Sequence, residues 1–86
     1  MQIQSILKMS PGCRLHPTQD VLLIPEGTLR LSGPSREVLM RIDGQRDVNA
    51  IVEDLLLQFS DANPDEVRRD VLTLLDRLEQ RGVIKA

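Results

Sequence analysis

The chain has 86 residues, a formal charge of −2, and an apolar fraction of 41% with Phe59 as its only aromatic residue. That length and composition allow one domain with an aliphatic core. A single cysteine excludes an internal disulfide and fits a reducing compartment.

The apolar stretches are far shorter than the roughly 20 residues of a membrane span, and no signal-peptide pattern opens the chain, so a cytoplasmic protein is expected. Residues 1–46 hold six basic and four acidic residues, and residues 47–86 hold five and nine. Neither half carries a block of like charge, so no strong electrostatic claim on nucleic acid or membrane follows.

Residues 1–12 show little pattern and read as an N-terminal arm, either flexible or packed on a neighbour, with Met9 as an alternative start. Residues 13–86 read as a single domain. Cys13 to His16 suit a short strand stopped by Pro17. The run Val21-Leu22-Leu23-Ile24 suits a strand covered on both faces. Pro25-Glu26-Gly27 is a turn, with Pro presetting the first corner and Gly supplying positive φ. Residues 28–32 return as a third strand, with Leu29 and Leu31 on one face and Thr28, Arg30 and Ser32 on the other.

Gly33-Pro34 opens a helix with Val38, Leu39 and Ile42 on its inner face, and Asp43-Gly44 ends it. Asp47 caps a second helix whose seam is Val48, Ile51, Val52, Leu55, Leu56 and Phe59. Asn63, Pro64 and Glu66 form a capping-box pattern before a third helix, with Val67, Val71, Leu74, Leu75 and Leu78 as its seam and Gly82 as its stop. Val83 and Ile84 dock as a short extended segment. Strands followed by helices predict an α+β domain: an N-terminal three-stranded antiparallel sheet and then three helices, winged-helix-like in outline.

The chemistry is sparse. Cys13 and His16 make half a zinc site with no second pair to complete it, and on a strand they point to opposite faces. The carboxylates fall mainly on predicted solvent faces or helix ends, and no phosphate loop spacing occurs. No enzyme and no cofactor are expected. A winged helix-turn-helix DNA binder is the rival reading, but its recognition helix opens Pro64-Asp65-Glu66 and holds five acidic against four basic residues over 65–81. An oligomerisation module is the third reading, because Leu57 lies opposite its helix's seam. Leu72 sits on the flank of the third helix's seam, where it and Leu75 can line a groove.

The segments CRLH, VLLIPEGTLRLSGPSREVLMRIDGQRDVNAIVEDL and DVLTLLDRLEQRGVI together resemble the coenzyme PQQ synthesis protein D family. The likeness spans roughly residues 13–84. It rests on the order and spacing of the VLL-x-PEG hairpin, the LxxIDG helix end, the VxxIVxxL helix and the closing L-x-x-L-x-x-RG-V/I. The resemblance implies a non-catalytic chaperone that binds the ribosomal precursor peptide of pyrroloquinoline quinone. It further implies a radical S-adenosylmethionine enzyme as partner, and peptide addition as an extra strand beside the third strand and against the third helix. The residues so implicated are Thr28, Leu29, Arg30, Leu31 and Ser32 for backbone pairing, with Arg68, Leu72 and Leu75 on the helix side. A homodimer is left open.

Overall fold

In the computed structural model, which describes residues 2–31 and 35–86, the chain runs β1 (Lys8–Met9), β2 (Arg14–Leu15), β3 (Val21–Ile24), β4 (Gly27–Arg30), α1 (Ser35–Leu39), α2 (Val48–Gln58), α3 (Pro64–Gln80) and β5 (Ile84–Lys85). The expected α+β order is present. Pro25 and Glu26 are the two turn residues of the β3–β4 hairpin, because Ile24 pairs with Gly27. Gly27 has φ +140°, while no atom lies within 4 Å of where a Cβ would stand, so backbone conformation rather than space requires glycine.

β2, β3 and β4 form an antiparallel sheet in that order. Leu15, Leu22 and Leu29 stand opposite one another across it. Leu22 is fully buried, and Leu15, Ile24 and Leu29 pack against the core beside it. Alternation then sends Val21 and Leu23 to the other face with Arg14, Thr28 and Arg30. The apolar run 21–24 is therefore covered on one face, not on both, and Val21 and Leu23 stay half-buried. The third strand also ends at Arg30, before the expected residue 32. Ser32, Gly33 and Pro34 lie outside the described residues.

The N-terminal segment builds structure that its sequence did not advertise. β1 pairs with β5, and an isolated bridge joins Ile6 to Asp47. The carbonyls of Ile3, Ser5 and Leu7 accept hydrogen bonds from the amides of Asn49, Val48 and Gly44 at 2.9, 3.0 and 3.1 Å. Leu7 is fully buried. Residues 3–9 thus run between the last strand and the start of α2.

α1 stops at Leu39, short of the expected Asp43. The amides of Arg41 and Ile42 bond three residues back, to Val38 and Leu39, which tightens the last turn. Asp43 then takes the amides of Gln45 and Arg46 on its side chain, both at 2.9 Å, so its local bonds compete with helix. Arg41 ties this end to α2: its guanidinium meets Asp54 at 2.6 Å and Glu37 at 3.0 Å, and also bonds Gln58. Burial opposes the Arg41 charge, but the hydrogen bonds to Glu37 and Asp54 outweigh it and raise its pKa.

Asp47 caps α2 by accepting from the Ala50 amide at 2.8 Å, and Val48, Ile51, Val52 and Leu55 are buried. Phe59 leaves the expected seam. It is the C-cap, bonding through its amide to the Leu55 carbonyl, and the residue is 41% exposed. Asn63 caps α3 through the amides of Asp65 and Glu66, with Pro64 at the first turn. At the other end the Val83 amide bonds the Leu78 carbonyl and the Gly82 amide bonds that of Glu79. Gly82, at φ +77°, makes this paired closure available, and buried Val83 and Leu78 complete it as an apolar contact.

Candidate functional site

The backbone of β4 has two inequivalent sides. The Leu31 amide donates to the Asp20 carbonyl at 2.9 Å. In the register Leu22–Leu29 and Ile24–Gly27, alternation makes those the bonded pairs, so Gly27, Leu29 and Leu31 use their polar groups on β3. Thr28 and Arg30 turn theirs the other way. β4 is an outer strand of its sheet, and among the described residues no strand pairs on that side. Among the described residues, Thr28 and Arg30 therefore offer four backbone groups to a ligand.

The loop after β2 ties the end of this edge to the start of α1. His16 Nδ1 accepts from the amides of Thr18 and Gln19 at 3.1 and 3.0 Å, which folds the loop. Arg36 donates to the carbonyls of Gln19 and Pro17 at 2.7 and 2.9 Å, and its Nε lies 4.0 Å from Asp20. The carbonyl of that same Asp20 receives the Leu31 amide. Ser35 begins α1 four residues beyond Leu31, so the two α-carbons are at most about 14 Å apart.

Ser35 also lines an open cavity of about 530 Å³. Val38, Leu55, Val67, Val71 and Leu74 make its aliphatic wall, Phe59 adds an aromatic edge, and Asp70 and Arg77 supply charges of both signs. Such a lining suits apolar side chains of a ligand, held by shape rather than by a single polar anchor. A second cavity, about 380 Å³, lies at the hairpin end and is lined by Cys13, Ile24, Leu29, Arg81 and Val83.

The sequence-implicated residues are only partly brought together. Thr28 and Arg30 share the free side of β4, Leu29 faces the smaller cavity, and Leu31 is buried at 9% exposure. Leu75 is 0% exposed and belongs to the core, so its side chain is closed to direct contact in this conformation. Leu72 is half-buried, and Arg68 lies 3.4 Å from Asp65. None of Arg68, Leu72 and Leu75 lines the larger cavity. At about 100° per residue, Leu72 and Leu74 fall about 160° apart around α3, and the cavity opens on the Leu74 flank.

Phe59, Val67 and Leu74 are the cavity residues that seam reading assigned to the core and that the fold leaves short of full burial. One signal for Val67 and Leu74 was available: the apolar stripe of α3 from Leu74 round to Leu72 is wider than the roughly 100° that core packing needs. Cys13 and His16 do not converge, since the thiol side lines the hairpin-end cavity and the imidazole holds its own loop. Among the described residues no group of three or more His, Cys, Asp or Glu could hold a metal, and no helix is long and apolar enough to cross a membrane.

Sequence relatives and one solved structure resemble this chain. Residues 20–84 match the family model for coenzyme PQQ synthesis protein D. A PqqA binding protein of Pseudomonas paraeruginosa is 40% identical over 73 residues, covering 83% of this chain and 77% of the relative. One from Rhizobium meliloti is 31% identical over 85 residues, covering 94% and 86%. Among solved structures, the PqqD truncation of Methylobacterium extorquens PqqCD, described as a stand-alone recognition element for ribosomally synthesised and modified peptides, superimposes with a TM-score of 0.80. It is 30% identical, and the match covers 99% of this chain and 94% of that one. With three quarters of its length inside the family model and its fold reproduced, this chain belongs to the coenzyme PQQ synthesis protein D family.

Proposed function

We propose that this chain is a non-catalytic peptide chaperone of pyrroloquinoline quinone biosynthesis. It binds the ribosomal precursor peptide by strand addition along β4 and presents it to a radical S-adenosylmethionine enzyme. The observation that carries the reading is the outward backbone of Thr28 and Arg30, with the aliphatic cavity at Ser35 near the end of that edge. Relatives named PqqA binding proteins support it.

β-Augmentation supplies affinity through the main chain and specificity through pockets for alternate side chains. Four backbone bonds at about 1 kcal/mol each and three apolar anchors at about 2 kcal/mol each give roughly 10 kcal/mol. Ordering the peptide costs about 2–5 kcal/mol. The remainder corresponds to a Kd between roughly 200 and 1 μM, which suits a carrier that must release its cargo.

An amide-shift NMR titration of the labelled chain with unlabelled precursor peptide tests the reading. Shifts concentrated on residues 28–31, on α1 and on the Val67–Leu74 flank are expected. No shift at saturating peptide, in a folded chain, would remove the function while leaving the family assignment in place.

A further inference from the structure

The sheet face turned away from the core takes no part in the edge or in the larger cavity. Its ladder positions are Arg14, Val21, Leu23, Thr28 and Arg30. Val21 and Leu23, on the central strand, are half-buried and stand outside the aliphatic set that packs on the core. Arg14 lies across from Leu23 on one side of the sheet, and Arg30 lies across from Val21 on the other. Both arginines are exposed, and neither forms an ion pair among the described residues. No carboxylate occupies a ladder position on this face, although the whole chain carries −2.

We infer that this outer face, Val21 and Leu23 flanked by Arg14 and Arg30, is a second docking surface for an acidic, aliphatic patch on a protein partner. Resting on the proposed function, that partner is the radical S-adenosylmethionine enzyme. Charge selects the occupant. A second copy packed face to face would set arginines against arginines, whereas an acidic surface complements them and steers encounter. Geometry separates the two ligands, because a peptide strand adds in the plane of the sheet and leaves its outer face open. An added strand also places alternate side chains on that face beside Thr28 and Arg30. The partner then touches carrier and cargo together, and binds the loaded carrier more tightly than the empty one.

The test measures affinity of the full chain for that enzyme, with and without precursor peptide, at low and high salt. Arg14→Glu and Leu23→Thr are made singly and together. Both sit off the β4 edge, so peptide affinity serves as the control. Arg14→Glu, at an exposed position, keeps the test readable if Leu23→Thr weakens the sheet. The folded variants are expected to keep peptide affinity within about twofold. Enzyme affinity is expected to fall about tenfold or more in the pair, and wild-type binding to weaken as salt rises.

Unchanged enzyme affinity in the folded variants overturns the inference, as does a wild-type chain that fails to bind the enzyme loaded or empty. Lost peptide affinity overturns it by giving the face to the peptide. A wild-type dimer that the variants dissociate overturns it by giving the face to a second copy. Enzyme binding that depends on Arg14 in a chain that binds no peptide sustains the docking surface and sinks the peptide reading instead.

Discussion

The Leu31 amide donates to the Asp20 carbonyl at 2.9 Å, and this bond sets which residues of β4 face the open side of the sheet. Proline at Arg30 removes an outward amide, while proline at Leu31 removes one that the hairpin uses. Edge strands tolerate proline only on the unpaired side. Arg30→Pro is therefore expected to stay folded and to lose about tenfold or more in peptide affinity by calorimetry. Leu31→Pro is expected to melt well below the wild type. Equal peptide affinity in folded Arg30→Pro would count against strand addition at this edge.

Leu74 and Leu75 are chain neighbours with different surroundings. Leu75 is fully buried, and Leu74 is half-buried in the cavity wall. Leu75→Ala is expected to cost about 2–5 kcal/mol of stability through transfer and cavity terms. Leu74→Ala should cost about 1 kcal/mol and weaken peptide binding several-fold. Denaturant melts and peptide titrations of both variants separate the roles, and the reverse pattern would relocate the cavity's function.

Leu7 anchors the N-terminal segment in the core. Leu7→Ala is expected to cost about 2–5 kcal/mol. At about 4–8 °C per kcal/mol for a domain this size, the melting midpoint should fall by roughly 10 °C or more. Removing residues 1–8 should do at least as much, because the bonds to Gly44, Val48 and Asn49 go too. A truncated chain that melts with the full one would make the segment an independent arm.

Asp43 accepts the backbone amides of Arg46 and Gln45, and these bonds lower its pKa below the usual carboxylate value. A carboxylate with a folded pKa below its unfolded one adds stability above the unfolded pKa. That contribution is lost as pH falls through the folded pKa. Asp43→Asn keeps a side-chain acceptor without titrating. Melting midpoints followed from pH 6 down to about pH 2 should therefore converge for the two proteins in acid, with the wild type ahead at higher pH. A constant difference across that range would show that the Asp43 charge contributes nothing.

Punctuation and periodicity were enough to read most elements. Pro25-Glu26-Gly27, Asp47, Asn63-Pro64 and Gly82 mark turns and caps whose chemistry is local, so each lies where the sequence puts it. The buried positions Val48, Ile51, Val52 and Leu55 of α2 and Val71, Leu75 and Leu78 of α3 follow for the same reason, since residues three and four apart share a helix face whatever surrounds them. The family was legible too, because it rests on the order of such marks.

Tertiary structure decided the rest. Residues 5–9 carry no strong pattern of their own, and their pairing with β5 and the start of α2 brings together positions that lie far apart in the chain. The end of α1 shifted where a local competitor acted, as Asp43 does by taking the amides of Gln45 and Arg46. The cavity wall stayed hidden because a wheel shows how wide an apolar stripe is, not which flank its neighbours leave uncovered. α1 and the end of α2 leave the Leu74 side open, and only packing between elements distant in sequence makes that choice.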